Sequence, residues 1–222
     1  SSATDSYNTA VGYNAGTAIT TGLSNSIVGG LAGDALTVGG FNVVMGRSAL
    51  STDVAGSKST AIGFGTLRAQ TYSSATDSMN TAVGFEAGND ITSGIHNTLI
   101  GALAGDALTD ADSNVAVGSS SLAVDTKGNK NTAVGHSALE AQNFTSSTFS
   151  YNTAIGADAG GALTTGIYNT FLGARAGSTG TGNFTDHQQS VVVGYLSGQN
   201  QANYSVAVGN ECNFVTYDHS IV

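Results

Sequence analysis

The residues of this chain that could carry out chemistry are few and scattered. Asp110 and Asp112 could place two carboxylates in one turn, and Ca²⁺ prefers oxygen ligands of this kind. The corresponding turn of the preceding block is Val38-Gly39-Gly40, so the pair does not repeat and a solvated turn is the simpler interpretation. The glycine-rich segment 29–33 resembles a phosphate-binding loop in composition, but it has no lysine and no helix follows it.

Catalytic groups also lack a pattern. The four histidines, His96, His136, His187 and His219, have no fixed spacing to Asp, Glu or Ser that would indicate a dyad or triad. No pair of acidic residues recurs with the repeat, as hydrolysis of a polysaccharide would require. The single cysteine, Cys212, cannot form an intrachain disulfide and fits a small buried position. The sequence therefore predicts a protein that is not an enzyme, with no catalytic residue, no metal ligand and no cofactor.

A short motif, first present as Tyr7-Asn8-Thr9-Ala10-Val11-Gly12, occurs twelve times along the chain. Its spacing determines where all the remaining residues lie in the fold. Its constant Gly stands at positions 12, 29, 46, 63, 84, 101, 118, 135, 156, 173, 194 and 209. The repeat length is mostly about 17 residues and ranges from roughly 15 to roughly 21. A short period around a β-branched strand is typical of a solenoid in which each repeat forms one rung. The sequence predicts an all-β fold, a parallel β-roll or β-solenoid of about twelve such rungs.

A longer repeat of about 72 residues, equal to four rungs, overlies the short one. Gly12, Gly84 and Gly156 occupy the same place in successive blocks, and residues 1–6 return unchanged as residues 73–78. We therefore predict a single repeat array over residues 1–222, with blocks at 1–72 and 73–144 and an irregular third block at 145–222. Residues 218–222 end in the middle of a motif, which predicts that the chain is a piece of a longer protein.

Composition limits the partners of the chain. Charged residues make up 9% and the net charge is −9, which argues against nucleic acid and anionic membranes as partners. No apolar stretch is long enough to span a bilayer, so we predict no membrane insertion in this segment. Proline is absent, as expected where nearly every backbone N–H is needed for ladder hydrogen bonds.

Successive side chains of a strand point to opposite faces, so the sequence predicts which residues face the interior of the rod. We number each rung from its constant Gly, so that position −1 is the residue before it and position +1 the residue after it. Positions −1 and −3 share one strand face and are rich in Val, Ile and Thr, so we expect them to line the interior. Position −2 is also apolar and would then face outward, which monomers rarely tolerate over such a length. We therefore predict a homo-oligomer whose seam contains Ile27, Val44, Leu99, Phe171 and Val192.

These repeats resemble a known group of fibrous proteins. The segment Tyr204-Ser205-Val206-Ala207-Val208-Gly209 resembles the strand motif in the head domains of trimeric autotransporter adhesins, which are left-handed parallel β-rolls with shorter rungs. The longer units, such as residues 80–88 and 131–139, are similar to repeats of phage tail fibres. The resemblance covers essentially the whole chain and implies a homotrimeric fibre.

The longer rungs offer the best candidates for receptor contact. They carry extra loop residues in which an aromatic side chain is flanked by Ser, Thr, Asn and Gln, a composition that suits glycans. The candidate receptor-facing residues are Tyr72, Asn143, Phe144, Phe184 and His187. Alternatively, Tyr72 and Phe144 pack over the rod as loop anchors.

The function predicted from these observations is structural. We expect a trimeric shaft or receptor-facing region of a phage-tail-fibre-like protein, located on a virion or at an extracellular surface, whose partners are copies of itself and a host glycan or protein. One alternative is the head of a bacterial trimeric autotransporter adhesin. A further alternative is a monomeric ice-binding or ligand-binding solenoid, which the regularly spaced Thr residues suggest.

Overall fold

The structure is a computed structural model that describes residues 5–178, 186, 188–198 and 203–212. Its strands in chain order are β1 (Thr9–Val11), β2 (Ser26–Val28), β3 (Val43–Met45), β4 (Gly56–Ser57), β5 (Thr60–Ile62), β6 (Thr76–Asp77), β7 (Thr81–Val83), β8 (Thr98–Ile100), β9 (Val115–Val117), β10 (Gly128–Asn129), β11 (Thr132–Val134), β12 (Thr148–Phe149), β13 (Thr153–Ile155), β14 (Thr170–Leu172), β15 (Val191–Val193) and β16 (Val206–Val208). Among these residues no helix is long and apolar enough to cross a membrane.

Twelve of the strands form one parallel sheet that runs the length of the molecule. Each three-residue strand pairs with the next along the chain, in the order β1-β2-β3-β5-β7-β8-β9-β11-β13-β14-β15-β16. The register aligns equivalent motif positions, as when Thr98, Leu99 and Ile100 pair with Val115, Ala116 and Val117. Two small parallel sheets, β4 with β6 and β10 with β12, lie beside it. The prediction of an all-β parallel β-solenoid built from short, regularly spaced rungs is confirmed.

The Gly that ends each strand of the large sheet is required for two physical reasons. Gly101 has φ of 138°, a conformation that side chains rarely permit. A Cβ built on Gly101 would also lie 2.5 Å from the carbonyl oxygen of Gly118 in the next rung. Any side chain here would push neighbouring rungs apart, so stacking at strand distance depends on this Gly.

The interior is lined by the middle residue of each strand of the large sheet after β1, so the predicted facing was wrong. The five residues assigned to an oligomer seam, Ile27, Val44, Leu99, Phe171 and Val192, are 0–1% exposed and belong to the core of the single chain. Positions −1 and −3, which were expected inside, face outward; Ile100 and Leu172 are 40% and 45% exposed.

The reason for this facing is the volume available inside a narrow rung. Position −2 and position +4 both point into the core, and their sizes compensate. A Cβ built on Gly88 or Gly105, both at position +4, would lie 2.6 Å or 2.8 Å from a methyl group of Leu99. Where position −2 is Ala or Val, position +4 is often a buried leucine: Leu50, Leu67, Leu122 and Leu139. The large residues that recur once per block at −2 are therefore core fillers.

Asparagines at position −4 form a buried ladder along one corner of the rod. Asn114 donates from its amide nitrogen to the carbonyl of Gly128 at 2.8 Å, and its oxygen accepts the backbone N–H of Asn131 at 2.9 Å. The same pattern holds from Asn8 to Asn25 and from Asn25 to Asn42. The ladder satisfies backbone groups at the turn that no strand partner reaches.

Candidate interaction surface

The outward face of the large sheet is the most extended uncovered surface of the described chain. Position −1 is aliphatic in all twelve rungs, and position −3 is Thr, Val or Ser. Side chains at −1 reach 58% exposure at Val11 and 49% at Met45. Parallel pairing in register places equivalent residues above one another, so the two positions form two continuous rows, which we call the outward strip.

The outward strip and the positions beside it form a face large enough to be an interface. Successive rungs of the twelve-stranded sheet are about 4.8 Å apart, which gives the strip a length of about 53 Å. With the flanking positions −5 and +1 included, the face spans about 20 Å, so its area is on the order of 1,000 Å². This exceeds the ~800 Å² that each partner buries in a standard interface.

Two further rows flank the strip, one along each edge. Position −5 precedes the buried Asn and adopts positive φ, for example 62° at Phe41 and 61° at Tyr168. Position +1 follows the constant Gly on the other edge. Both rows contain exposed aromatic residues, including Phe41 (60%) and Phe85 (52%).

Aromatic and cationic groups stack along these edges. On the +1 edge, the Phe64 and Phe85 rings lie 5.5 Å apart at an interplanar angle of 10°, and Arg47 lies 5.8 Å from the centre of the Phe64 ring. On the −5 edge, Tyr151 and Tyr168 lie 5.4 Å apart at 11°. Because the stacked rings cover each other's faces along the rod, they present mainly their edges to solvent.

The predicted receptor-facing loops are mostly placed elsewhere. Tyr72 is 8% exposed and donates its hydroxyl to the carbonyl of Gly94 at 2.8 Å, and Phe144 is 7% exposed. Their assignment as receptor contacts is therefore wrong, because a ring packed over the rod cannot meet a ligand; they are loop anchors. Asn143 is half-buried and accepts a hydrogen bond from Thr126 at 3.3 Å. Phe184 and His187 lie outside the described residues.

The carboxylates considered for calcium are engaged by the protein itself. Asp112 accepts the backbone N–H of Ile95 at 2.8 Å, and Asp110 lies 3.6 Å from the Lys127 ammonium. Within the described ranges no three His, Cys, Asp or Glu side chains come together as a metal site would require. His136 lies 3.9 Å from Asp158 at the surface, and both side chains are largely exposed.

The sequence interpretation missed a buried polar cluster that occurs twice. Asp53 accepts hydrogen bonds from the backbone N–H of Gly56 at 3.0 Å and from the Gln70 amide at 2.7 Å. Burial raises the pKa of Asp53, and the hydrogen bond from Gln70 opposes that effect. Asp125 and Gln142 repeat the arrangement at 2.6 Å. The available signal was an Asp at position +7, where neighbouring rungs carry a buried aliphatic such as Leu36.

This cluster is structural. Gln70 also holds the amide of Asn80 at 2.9 Å, so it continues the ladder past Ser59, which replaces an Asn. The two hydroxyls of Ser59 and Ser78 are 2.7 Å apart in the same cluster. Asp53 and Gln70 are fully buried and directed into the rod, so neither is positioned to meet a substrate.

Comparison with known proteins gives no matching family model, no matching curated protein and no matching solved structure.

Proposed function

We propose that this chain is a segment of a homotrimeric fibre that provides rigid reach at a virion or other extracellular surface and serves attachment to a host. The observation that carries the proposal is the outward strip, whose −1 row is aliphatic over all twelve rungs. Burial of such a strip releases ordered water along the whole rod, which favours association.

A second copy is the occupant that fits the strip best. The strip repeats with the rung spacing, so another solenoid with the same spacing can cover it from end to end. A compact partner would cover only part of the length and leave the remaining Val and Ile side chains in water. The short, β-branched side chains also lose little conformational entropy when a flat partner covers them.

The resemblance to tail-fibre and adhesin repeats supports three copies and the extracellular setting. The length of the rungs favours the phage-fibre side of that resemblance, and a bacterial adhesin head is the alternative origin. A host glycan or protein receptor is the proposed partner of the assembled fibre. A continuous hydrogen-bond ladder gives little loose backbone to proteases, as suits a shaft exposed to the medium.

Native mass by light scattering tests the proposal. We expect three times the 22.0 kDa chain mass for the unmodified protein. Ile100→Asp, on the outward strip, should yield a folded monomer with an unchanged circular dichroism spectrum. The matched variant Leu99→Asp should instead unfold the chain, because Leu99 is 0% exposed. A stable monomer of the unmodified chain would refute the fibre.

A second candidate function is supported by the outward Thr residues. Seven of the twelve −3 positions are Thr on the outward face of a parallel sheet, and a regular Thr array suits ice binding. The row is interrupted by Val43, Val115, Val191 and Val206, and the adjacent row has no hydroxyl at all. Thermal hysteresis by a 22.0 kDa monomer, lost in Thr98→Leu, would favour this function over the fibre.

A further inference from the structure

We propose that a groove in the first block of the rod binds the carboxylate of an acidic sugar, and that the backbone N–H of Leu23 is the donor that holds this carboxylate. The groove lies beside the outward strip, around the −5 edge, and has a volume of about 240 Å³. The inference rests on the proposed function, since it names the class of host ligand and the place where the ligand binds. The lining of the groove includes Leu23, Val38, Gly40, Phe41, Lys58 and Asp77.

A row of hydrogen bonds at position −6 explains why the groove has an open donor. In several rungs the −6 side chain accepts the backbone N–H of the −6 residue in the preceding rung. Asp112 accepts the Ile95 N–H at 2.8 Å, and Asn129 accepts the Asp112 N–H at 2.6 Å. Ser57 accepts the Gly40 N–H at 3.0 Å in the same way. Each of these N–H groups therefore depends on an acceptor side chain in the next rung.

Leu23 lacks such an acceptor because the next −6 residue is Gly40. Within residues 5–178 the Leu23 N–H makes no hydrogen bond. A Cβ built on Gly40 would lie 3.3 Å from the Leu23 nitrogen, so this nitrogen borders the space that a side chain at position 40 would enter. Both residues line the groove. An unpaired backbone N–H in this place is a donor for an acceptor that comes from outside the chain.

The second block shows which chemical group fits this donor. Ile95 and Asp112 occupy the places of Leu23 and Gly40 one block further along the chain. There the Asp112 carboxylate accepts the equivalent N–H. A ligand carboxylate on the Leu23 N–H would reproduce this bond, and an ionised acceptor makes a stronger hydrogen bond than a neutral one.

Lys58 makes the groove compatible with a negative charge. Its ammonium lies 2.6 Å from Asp77, and both side chains are about half exposed. This contact compensates the charge of Asp77 and uses one of the three N–H donors of the ammonium, so the others remain for a ligand. Because an exposed ion pair is weak, Lys58 can turn towards an incoming carboxylate at little cost.

The remaining lining favours a sugar over an aliphatic or peptide carboxylate. Phe41 is 60% exposed, and an open aromatic ring can pack against the C–H face of a sugar ring. The hydroxyls of Thr21 and Ser57 and the Asp77 carboxylate, which also line the groove, can pair with ring hydroxyls. A fatty acid would leave these polar groups without partners. A uronic acid combines the carboxylate, the ring and the hydroxyls in one unit.

The second block does not repeat this site. The Asp112 carboxylate already fills the acceptor position there. Ser113 and Asp110 replace Phe41 and Val38, so the aromatic and aliphatic parts of the lining are also absent. The first two blocks therefore provide one site per chain.

Titration of the deuterated, full-length protein with sodium glucuronate tests the inference by amide-resolved NMR. The Leu23 amide resonance should shift and saturate in the millimolar range, whereas glucose, which lacks the carboxylate, should leave it unchanged. The Ile95 amide should not respond to either compound, because Asp112 already occupies it. Acetate should bind more weakly than glucuronate, since it has no ring to pack on Phe41.

Two variants remove different parts of the site. Gly40→Asp supplies an internal carboxylate, as in the second block, and should weaken glucuronate binding at least about tenfold. A Cβ at position 40 would lie 2.8 Å from the Leu23 carbonyl oxygen, so this variant requires a small shift between rungs. Phe41→Ser changes only an exposed side chain and should weaken binding about fivefold. Phe85→Ser, an exposed aromatic on the opposite edge, is the matched control and should leave the affinity unchanged.

The other outcomes overturn the inference in distinct ways. No response of the Leu23 amide to glucuronate would mean that this N–H meets only water. Equal affinities for acetate and glucuronate would refute the assignment to a sugar. Neither result affects the native mass, so the fibre would stand. A monomeric chain that still binds glucuronate at Leu23 would refute the fibre and keep the site.

Discussion

At the scale of single residues, the asparagine ladder links the corner of each rung to the next. Its members from Asn25 onwards are buried, so water cannot replace a lost partner. Because each amide serves a carbonyl in its own rung and an N–H in the next, one substitution leaves unsatisfied groups in two rungs.

We therefore expect Asn114→Ala to lower the free energy of unfolding by about 2–4 kcal/mol, since the Gly128 carbonyl and the Asn131 N–H lose their partner. Urea unfolding followed by circular dichroism measures the change. The neighbouring exposed residue gives the control: Ser113→Ala should change stability by less than about 0.5 kcal/mol. Equal effects of the two variants would show that the ladder contributes little.

Asp106 makes stability depend on pH. Burial raises its pKa from the ordinary 3.8 to about 6, helped by the nearby Asp90 and Glu86 and opposed by Arg68. In the unfolded chain this carboxyl ionises at lower pH, so the contribution of Asp106 to stability is greatest below about pH 4 and is lost as pH rises towards about 6. The full pKa shift would correspond to a loss of ~3 kcal/mol in the free energy of unfolding. Because the Asp106 side chain is partly exposed, we expect a loss of about 1 kcal/mol.

Asp106→Asn should therefore raise the melting temperature near neutral pH and leave it almost unchanged at about pH 3.5. Thermal unfolding across this range is the measurement. The variant should also remove the downward slope between about pH 4 and 6. If the melting temperature of the variant still fell by the same amount between about pH 4 and 6, the pH dependence would arise from another carboxylate.

At the scale of the strand, neighbouring residues have opposite roles. Phe171 fills the core at 0% exposure, whereas Leu172 lies on the outward strip at 45%. Phe171→Ala should lower the free energy of unfolding of the single chain by about 3–5 kcal/mol, the usual cost of a buried aromatic cavity. Leu172→Ala should leave that value within about 1 kcal/mol and weaken association instead.

Chemical unfolding of the monomeric Ile100→Asp background separates the two effects, because association no longer contributes to stability. If Leu172→Ala were the more destabilising change in that background, the facing of strand β14 would be the reverse of that described.

The sequence predicted the rungs and their parallel pairing, because the spacing of the constant Gly and the β-branched residues before it determine both. It did not predict the facing, since Thr170, Phe171 and Leu172 all suit a strand and the −3 row, although mostly Thr, is interrupted by Val and shares its face with the aliphatic −1 row. The facing is indicated by a comparison of different positions in the rungs. Leu99 at position −2 is large, and Gly88 and Gly105 at position +4, which lie against it in the core, are small. Likewise, Tyr72 had the composition of a binding loop, and only its packing and its bond to Gly94 show an anchor.

At the scale of the whole molecule, the block of four rungs is the unit that can be removed without changing the order of residues in the core. Deleting residues 73–144 joins Tyr72 to Thr145, which is the equivalent of Ser73. The shortened chain keeps the order of Gly and Leu at position +4, and β4 can pair with β12 as β10 does. We expect a folded rod shorter by about 19 Å, measurable by small-angle X-ray scattering.

Deleting residues 85–118 is the control, since it removes two whole rungs but disturbs the core order. It eliminates Leu99 and places four rungs with Leu at position +4 in succession, where the intact chain alternates two such rungs with two that carry Gly. We expect this chain to be less stable than the block deletion. Equal stability of the two deletions would mean that rungs are interchangeable in pairs.

The hydrogen bonds between rungs point along the rod, as in the 2.8 Å bond from the Val115 N–H to the Asn131 carbonyl. A pull on the two ends therefore loads the rungs in series, and a terminal rung, which has a neighbour on one side only, peels away first. Each detached rung converts about 4.8 Å of rod into about 58 Å of extended chain. Under drag the rod would lengthen step by step and dissipate the load, acting as a shock-absorbing tether.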